Sequence, residues 1–261
     1  MRFLAWAAAA CVSAIALSGT ALAAAPAKAR PGVAARRPPA ATTPDWTGIW
    51  TRVGSLNFDP AIPGLESDDP PYTPAFGERW ARIRALEKEG KPANDKSAQC
   101  LPPGLVRMMN MVYPMEIIQA HGQMTIVAEW MGQIRRIFID GRAHPGLDEL
   151  DPTYNGHSIG HWEGATLVID TVGIKGGGIL NDHGAPLGEQ LHVTERIWQP
   201  DADTLKDQLT IEDPTAFTRP FTTVKTFKRR RDIQIMEYVC EENNRNPVDA
   251  NGVTGVLLQS R

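Results

Sequence analysis

The sequence predicts a mainly all-β domain, an antiparallel β-barrel of about eight to nine strands with one short helix near residues 74–89. After Met115, apolar and polar residues alternate in short runs, which is the pattern of strands with one buried face. Short turns that contain glycine separate most of these runs. A meander of this length removes its exposed edges by closing into a barrel, and an open sandwich is the alternative.

The first 23 residues have the pattern of a secretory signal peptide. Arg2 precedes an apolar run that extends to about Leu17, and small residues end the segment at Ala23. The apolar run is shorter than the roughly 20 residues that span a bilayer. We therefore expect a periplasmic protein without stable membrane insertion.

The rest of the chain divides into three parts by composition. They are a tether rich in alanine and proline, one folded domain and a C-terminal tail, at residues 24–43, 44–246 and 247–261. The formal net charge of −3 becomes −4 when Arg2 leaves with the signal peptide. This mild acidity disfavours nucleic-acid binding, for which a basic surplus is typical. The oligomeric state stays open.

Two cysteines remain in the expected mature chain, Cys100 and Cys240. In an oxidising compartment such a pair predicts one disulfide, which would close a long loop and constrain the unfolded chain. Two separate buried thiols are the alternative.

The helix near residues 74–89 is predicted from its start signal and from its spacing. Thr73 has the side chain of an N-cap, and Pro74 suits the first turn of a helix. Apolar residues then recur three and four positions apart, at Phe76, Trp80, Ile83 and Leu86. We expect this helix to lie across the barrel or to close one end of it.

The predicted strands follow the alternation of apolar and polar residues. One strand lies at Trp50, and a pair of strands flanks the turn at Glu163-Gly164. The others cover residues 116–120, 124–130, 134–140, 191–198, 204–212, 222–228 and 234–241.

Two charged residues share a strand face with apolar neighbours. Arg136 alternates with Ile134 and Phe138, and Glu195 alternates with Val193. A charged residue on an apolar face is either buried and paired or functional. We therefore predict that Arg136 and Glu195 point into the barrel.

His157 and His161 have the His-x-x-x-His spacing that binds zinc when it lies on a helix. On the strand predicted here the two residues are about 13 Å apart, so no metal site is predicted. One of these histidines can instead act as a general acid or base, because the pKa of histidine lies near neutral. Hydrogen bonding to loops is the structural alternative.

A polar turn after the strand predicted at residues 134–140 supplies further catalytic candidates. Asp140, Arg142 and His144 can converge at a barrel mouth, where small-molecule sites are common, or form only a salt-bridged turn. The full set of catalytic candidates is His157, His161, Asp170, Glu195, Arg136, Arg142 and His144. The histidines are assigned acid–base roles, the carboxylates orient them, and the arginines stabilise developing negative charge.

No cofactor is predicted. The chain lacks the Gly-x-Ser-x-Gly elbow of α/β-hydrolases and the glycine–lysine spacing of a phosphate loop. It also contains no dinucleotide-binding motif and no haem-attachment motif.

Two resemblances add to this picture. Gly48-Ile49-Trp50 resembles the opening of lipocalin-type barrels, in which the tryptophan plugs the closed end. Most of residues 45–245 is similar to a large group of exported proteobacterial proteins. The similar motifs are Asp140-Gly141-Arg142-x-His144-Pro145, Gly156-His157-Ser158-Ile159-Gly160-His161-Trp162-Glu163-Gly164, Thr166-Leu167-Val168-x-Asp170-Thr171, Glu195-Arg196, Glu212-Asp213-Pro214 and Glu237-Tyr238-x-Cys240. The group usually has Asp where this chain has Ala165. The resemblance implies an exported β-rich protein and implies no particular reaction.

These features predict an enzyme that performs cofactor-free acid–base chemistry, of the lyase, isomerase or hydratase type. Its substrate would be a small apolar or aromatic molecule in a barrel pocket. A non-catalytic periplasmic carrier of the same kind of ligand is the alternative, because a binding pocket also needs a few fixed polar groups. A structural or envelope-interaction domain is the third hypothesis and predicts no pocket.

Overall fold

The computed structural model describes residues 43–54, 70–90, 96–181 and 183–243. All of these residues belong to one compact unit of the chain. The predicted signal peptide and C-terminal tail lie outside the described residues, as does all of the predicted tether except its last residue.

Nine strands in the described part of the chain form one closed barrel, in which each strand pairs with its neighbours in chain order. The strands are β1 (Gly48–Val53), β2 (Met115–Ala120), β3 (Gln123–Ala128), β4 (Gln133–Phe138), β5 (His157–Glu163), β6 (Thr166–Val172), β7 (His192–Asp201), β8 (Thr204–Glu212) and β9 (Phe221–Arg230). The helices are α1 (Pro74–Lys88) and α2 (Leu105–Met108), with 3₁₀ turns at Lys96–Gln99, Trp130–Gly132 and Glu241–Asn243. The predicted mainly β barrel is confirmed.

One strand pair departs from the antiparallel pattern. β4 and β5 run parallel, and only Ile137 with Ser158 and Phe138 with Ile159 are paired. The connection at residues 139–156 makes this possible, because parallel neighbours need a crossover of about a dozen residues or more. The barrel is therefore mixed, and β4 and β5 separate from each other before these two pairs.

The strand predicted at residues 234–241 is wrong. β9 pairs with β8 along one edge and with β1 along the other, so it offers no free edge to a further strand. Residues 234–241 make other contacts instead. The Met236 amide, for example, donates to the Glu129 carboxylate at 2.9 Å. Cys240 is bonded to Cys100, which confirms the predicted disulfide.

The predicted helix is confirmed as α1, which begins at Pro74. The Thr73 hydroxyl donates to the Thr215 carbonyl at 3.2 Å and makes no cap to the helix amides. Glu87 accepts a hydrogen bond from His183 at 2.6 Å. These contacts place α1 beside the connections that follow β6 and β8, at what we call the connection end of the barrel (residues 173–191 and 213–220). No helix in the described ranges is long and apolar enough to span a membrane.

The inward orientation predicted for Glu195 is confirmed, since its side chain is fully buried. The same prediction for Arg136 is wrong, because Arg136 is exposed and Arg135 is the buried residue. Alternation along β4 allows two phases, and the apolar Ile134 lies on the outer face at 52% exposure. An outward isoleucine therefore made the wrong face look like the core.

Two fully buried tryptophans, Trp46 and Trp50, lie at the start of β1. The Trp50 indole donates to the Trp46 carbonyl at 2.8 Å. The Arg229 guanidinium covers the Trp50 ring, 4.3 Å from its centroid, and donates to the Thr47 carbonyl at 2.7 Å. These contacts fix the start of β1 against β9 and so help to close the barrel.

Candidate functional site

Five side chains form a continuous hydrogen-bonded chain on the outer surface of the barrel, which we call the histidine relay. They are His157, His144, Asp170, His192 and Glu212. Four of them come from the consecutive strands β5 to β8, and His144 comes from the crossover at residues 139–156. Strand alternation places the four strand residues on the same outer face.

All four contacts of the relay have hydrogen-bond geometry. The Nδ1 atoms of His157 and His144 are 2.8 Å apart, and His144 Nε2 lies 2.9 Å from Asp170 Oδ2. His192 Nε2 lies 2.6 Å from Asp170 Oδ1, and its Nδ1 lies 3.0 Å from Glu212 Oε2. Asp170 therefore joins two histidines through its two oxygens.

A glycine allows His157 to enter the strand at this position. Gly156 has φ of 65°, and a Cβ atom there would lie 2.7 Å from the Val172 carbonyl oxygen and 2.7 Å from Ile174 Cγ1. Any other residue would push the start of β5 away from the end of β6. The position of His157 therefore depends on Gly156.

The hydrogen-bond partners of His192 favour its charged form. A carboxylate can only accept hydrogen bonds, so both ring nitrogens of His192 donate when it lies between Asp170 and Glu212. Burial opposes this charge, yet the hydrogen bonds and negative charges of Asp170 and Glu212 together raise the pKa of His192. His192 is therefore the cation of the relay.

The relay leaves a lone pair on His157. When His144 is uncharged and donates from Nε2 to Asp170, its lone pair is on Nδ1, and it accepts from Nδ1–H of His157. The lone pair of His157 then lies on Nε2, which has no hydrogen-bond partner among the described residues. Burial lowers the pKa of His157, as do the positive charges of Arg142 and of His144 when it is protonated, so the His157 ring is neutral at neutral pH. A neutral imidazole with an available lone pair has the chemistry that general-base catalysis requires.

A groove of about 460 Å³ opens beside His157, and we call it the β4–β5 groove. It is lined by Pro102, residues 131–136, Phe138 and residues 153–157. The groove exists because β4 and β5 pair at only two positions and separate before them. Buried Gln133 and Arg135 line it together with exposed Ile134 and Arg136, so the groove reaches from the surface into the barrel wall.

Behind the groove, Arg135 is the centre of a buried polar network. Its Nη1 donates to Glu195 Oε1 at 2.9 Å, and its Nη2 donates to the other carboxylate oxygen. Nη2 also lies 3.2 Å from the hydroxyls of Ser158 and Thr171. Burial and then the negative charge of Glu195 raise the pKa of Asp207, which lies nearby, well above its ordinary value. This network links β4 to β5, β6 and β7 through the barrel interior.

An apolar cavity of about 170 Å³ lies at the connection end. It is lined by residues 101–106, Tyr154, residues 174–179, Leu187 and Leu191. Pro102 and Tyr154 line both this cavity and the β4–β5 groove, so the two spaces adjoin each other. Pro102 and Tyr154 therefore form a wall common to the cavity and the groove.

The structure brings three predicted site residues together, namely His144, His157 and Asp170. Arg142 lies close to them, with its guanidinium 3.9 Å from the Phe138 ring centroid. It also pairs with Asp140 at 2.5 Å, and this hydrogen bond lowers the pKa of Asp140 to about 2.

The other predicted site residues lie apart from the relay. His161 has a side chain that is 67% exposed and contacts Glu163 at 3.3 Å. Glu195 is inside the barrel with Arg135, and Arg136 lines the β4–β5 groove from the outer face.

Sequence reasoning missed His192 and Glu212 as members of the relay. A usable signal was present, because the predicted hairpin of residues 191–198 and 204–212 brings the start of one strand near the end of the other. Their link to Asp170 depends on the register of β6 against β7, in which Asp170 is paired with Thr194. That register is not visible in local patterning.

The adjacent histidines bond to each other and do not converge on a metal position. Nδ1 of His144 and Nδ1 of His157 lie 2.8 Å apart, within direct hydrogen-bond distance. In residues 43–54, 70–90, 96–181 and 183–243, no group of three or more His, Cys, Asp or Glu side chains has the arrangement to hold a metal ion.

Comparisons with protein-family models and with curated proteins give no match for this chain. The chemistry of the site therefore rests on its own geometry.

Proposed function

We propose that the protein binds a small, largely apolar molecule at the connection end and performs acid–base chemistry on it. His157 accepts and returns the proton. The observation that carries this proposal is the relay, which links His157 through His144 to Asp170, together with the position of His157 in the lining of the groove. A histidine held by a second group that is itself oriented by a carboxylate is a typical general base.

The relay keeps its hydrogen bonds when His157 is protonated. After Nε2 takes up a proton, Nδ1–H still donates to His144, and His144 still donates to the Asp170 carboxylate. Arg136 lines the groove and supplies positive charge where negative charge develops on a substrate. Lyase, isomerase and hydratase reactions fit one base that removes a proton and returns it elsewhere.

The size of the cavity supports a small apolar ligand. An apolar cavity of about 150 Å³ in another protein holds one benzene molecule. The cavity here, of about 170 Å³, fits a single ring or a short aliphatic chain on that scale. The β-barrel fold itself suits a ligand-binding protein of the lipocalin type.

A non-catalytic carrier is the second candidate function, and the apolar cavity is the observation that favours it. Such a carrier needs the cavity at residues 101–106 and 174–179 and does not need the relay.

Export to the periplasm is part of the proposal. The Cys100–Cys240 disulfide supports it, because structural disulfides persist in oxidising compartments. We also infer that the chain belongs to the exported group with which it shares the motifs containing His144, His157 and Asp170.

Incubation of the mature protein with a panel of single-ring aromatic and short aliphatic molecules, followed by mass spectrometry, tests the proposal. An enzyme consumes one component in large molar excess over protein and forms a product. A carrier depletes one component to about one equivalent and forms no product. A broad panel with no depletion contradicts both functions.

For the component that is consumed, we expect His157→Gln to lower turnover about 100-fold or more, because general-base catalysis contributes at least that factor. His121→Gln, an exposed histidine in the β2–β3 turn, should leave turnover within about twofold. Turnover should fall as pH falls, with a midpoint below 6.5, because the base must be unprotonated and the pKa of His157 is lowered from that value. Turnover of His157→Gln within twofold of wild type would contradict the assignment.

A further inference from the structure

The apolar cavity at the connection end has a single charged side chain in its wall. Among the described residues that line the cavity, Lys175 alone carries a charge, and the others are apolar residues, glycines and Tyr154. Lys175 is also an exposed residue, so its side chain lies where the cavity meets solvent. A ligand in this cavity therefore has an apolar surface around it and a cation at the opening.

The position of the Lys175 ammonium is fixed by a second wall residue. Its Nζ lies over the Tyr154 ring, 5.0 Å from the ring centroid. A cation–π contact uses the face of the ring and leaves the three N–H donors of the ammonium available. Glu189 packs beside Gly176, yet within the described part of the chain no carboxylate forms an ion pair with Lys175. The ammonium is therefore accessible to an acceptor on a ligand.

The adjoining groove has the same sign of charge. Among the described residues that line the cavity and the β4–β5 groove, none is an aspartate or a glutamate. The groove adds exposed Arg136 and buried Arg135, the latter paired with Glu195. The chain as a whole has a formal net charge of −3, so this region differs in sign from the molecule. Concave sites lined by one sign of charge attract ligands of the opposite sign.

We propose that the molecule bound at the connection end is a small monocarboxylate. Its apolar body, a single ring or a short chain, fills the cavity, and its carboxylate accepts hydrogen bonds from the Lys175 ammonium at the opening. Burial of the apolar body supplies affinity, and the charge pair supplies specificity for the anion. The role of this molecule as a substrate rests on the proposed function, whereas its binding needs only the cavity and Lys175.

Three probes of nearly the same shape test the proposal on the mature protein. Benzoate, benzamide and benzamidinium carry a negative charge, no charge and a positive charge, and NMR titration measures their dissociation constants. At low ionic strength we expect benzoate to bind about fivefold more tightly than benzamide, and benzamidinium to bind most weakly. Added salt should reduce this preference, because it screens an exposed charge pair. Equal affinities of benzoate and benzamide would overturn the proposal, as would the absence of binding by all three probes.

Variants of one residue then locate the contact. Lys175→Met removes the charge and keeps an apolar stem, so benzoate affinity should fall about fivefold while benzamide affinity stays within about twofold. Lys175→Arg keeps a cation and should retain the preference for benzoate. Lys88→Met, at an exposed position of α1 outside the cavity wall, is the matched control and should change neither affinity. Unchanged benzoate affinity in Lys175→Met would overturn the proposal.

The variant His157→Gln separates this proposal from the proposed reaction. If both are right, the variant loses turnover and keeps the preference for benzoate over benzamide, because His157 does not line the cavity. Consumption of an uncharged molecule at a rate that Lys175→Met leaves unchanged would overturn the monocarboxylate proposal alone. A preference for benzoate with unchanged turnover in His157→Gln would overturn the reaction alone.

Discussion

His157 owes its chemical state to residues that touch it and to residues that do not. Asp170 orients His144 by accepting from its Nε2, and an uncharged His144 in turn fixes the proton of His157 on Nδ1. His192 lies between the carboxylates of Asp170 and Glu212, so Asp170 contacts two histidines at once. The reactivity of one side chain is thus set by its neighbours' hydrogen-bonding capacity.

His192 should make stability depend on pH. Its pKa in the folded protein is raised above the ordinary value of 6.5, so its charged form stabilises the fold below that value. This contribution is lost as pH rises through the folded-state pKa, so the free energy of unfolding should fall as pH rises from about 6.5 through that pKa. His192→Gln should remove that part of the decline in denaturant titrations, and His121→Gln should retain it. An identical pH dependence in His192→Gln would contradict this assignment.

The crossover at residues 139–156 has the largest consequences of any single element. By running β5 parallel to β4, it leaves the two strands paired at only two positions and so creates the groove. It also carries His144 back to the outer face, where His157 begins β5. One connection therefore produces both the groove and the orienting partner of the proposed base.

The disulfide should contribute much of the stability of the connection end. Cys100 directly precedes the cavity wall at residues 101–106, and its partner Cys240 lies 140 residues later in the chain. A Cys100→Ser, Cys240→Ser double variant should lose about 5 kcal/mol of unfolding free energy on the loop-entropy relation. Denaturant titration of the oxidised wild type and the variant measures this difference. A loss below about 1 kcal/mol would show that the unfolded chain is not constrained by the bond.

For the whole molecule, the barrel combines an apolar core with a buried polar network. Arg135 and Glu195 lie inside the barrel, at 1% and 0% exposure, and connect β4 with β7. Ser158 and Thr171 bring β5 and β6 into the same network. The network therefore joins the strands on both sides of the weakly paired β4–β5 seam.

The buried ion pair predicts strong coupling between its two members. Arg135→Met leaves the Glu195 carboxylate buried without its cation, and such a change typically costs about 3–5 kcal/mol. Glu195→Met should have a similar effect, and the double variant should lose less than the sum of the two, because neither charge remains unpaired. Denaturant unfolding of all four proteins measures this coupling. Strictly additive losses would contradict it.

Local patterns were sufficient for most of the architecture. The alternation of apolar and polar residues predicted the strands that became β2 to β9, and the signals at Thr73 and Pro74 predicted α1. The pair of cysteines predicted the disulfide. These features depend on neighbours in sequence or on the number of one residue type, both of which can be read directly from the chain.

Features that depend on which strands meet could not be read in this way. Alternation along β4 has two phases, and only packing of the closed barrel put Arg135 rather than Arg136 inside. Residues 234–241 have the pattern of a strand, yet β1 and β8 already occupy both edges of β9. The relay requires residues far apart in the chain to share one outer face, and cross-strand register is a property of the closed sheet rather than of any single strand.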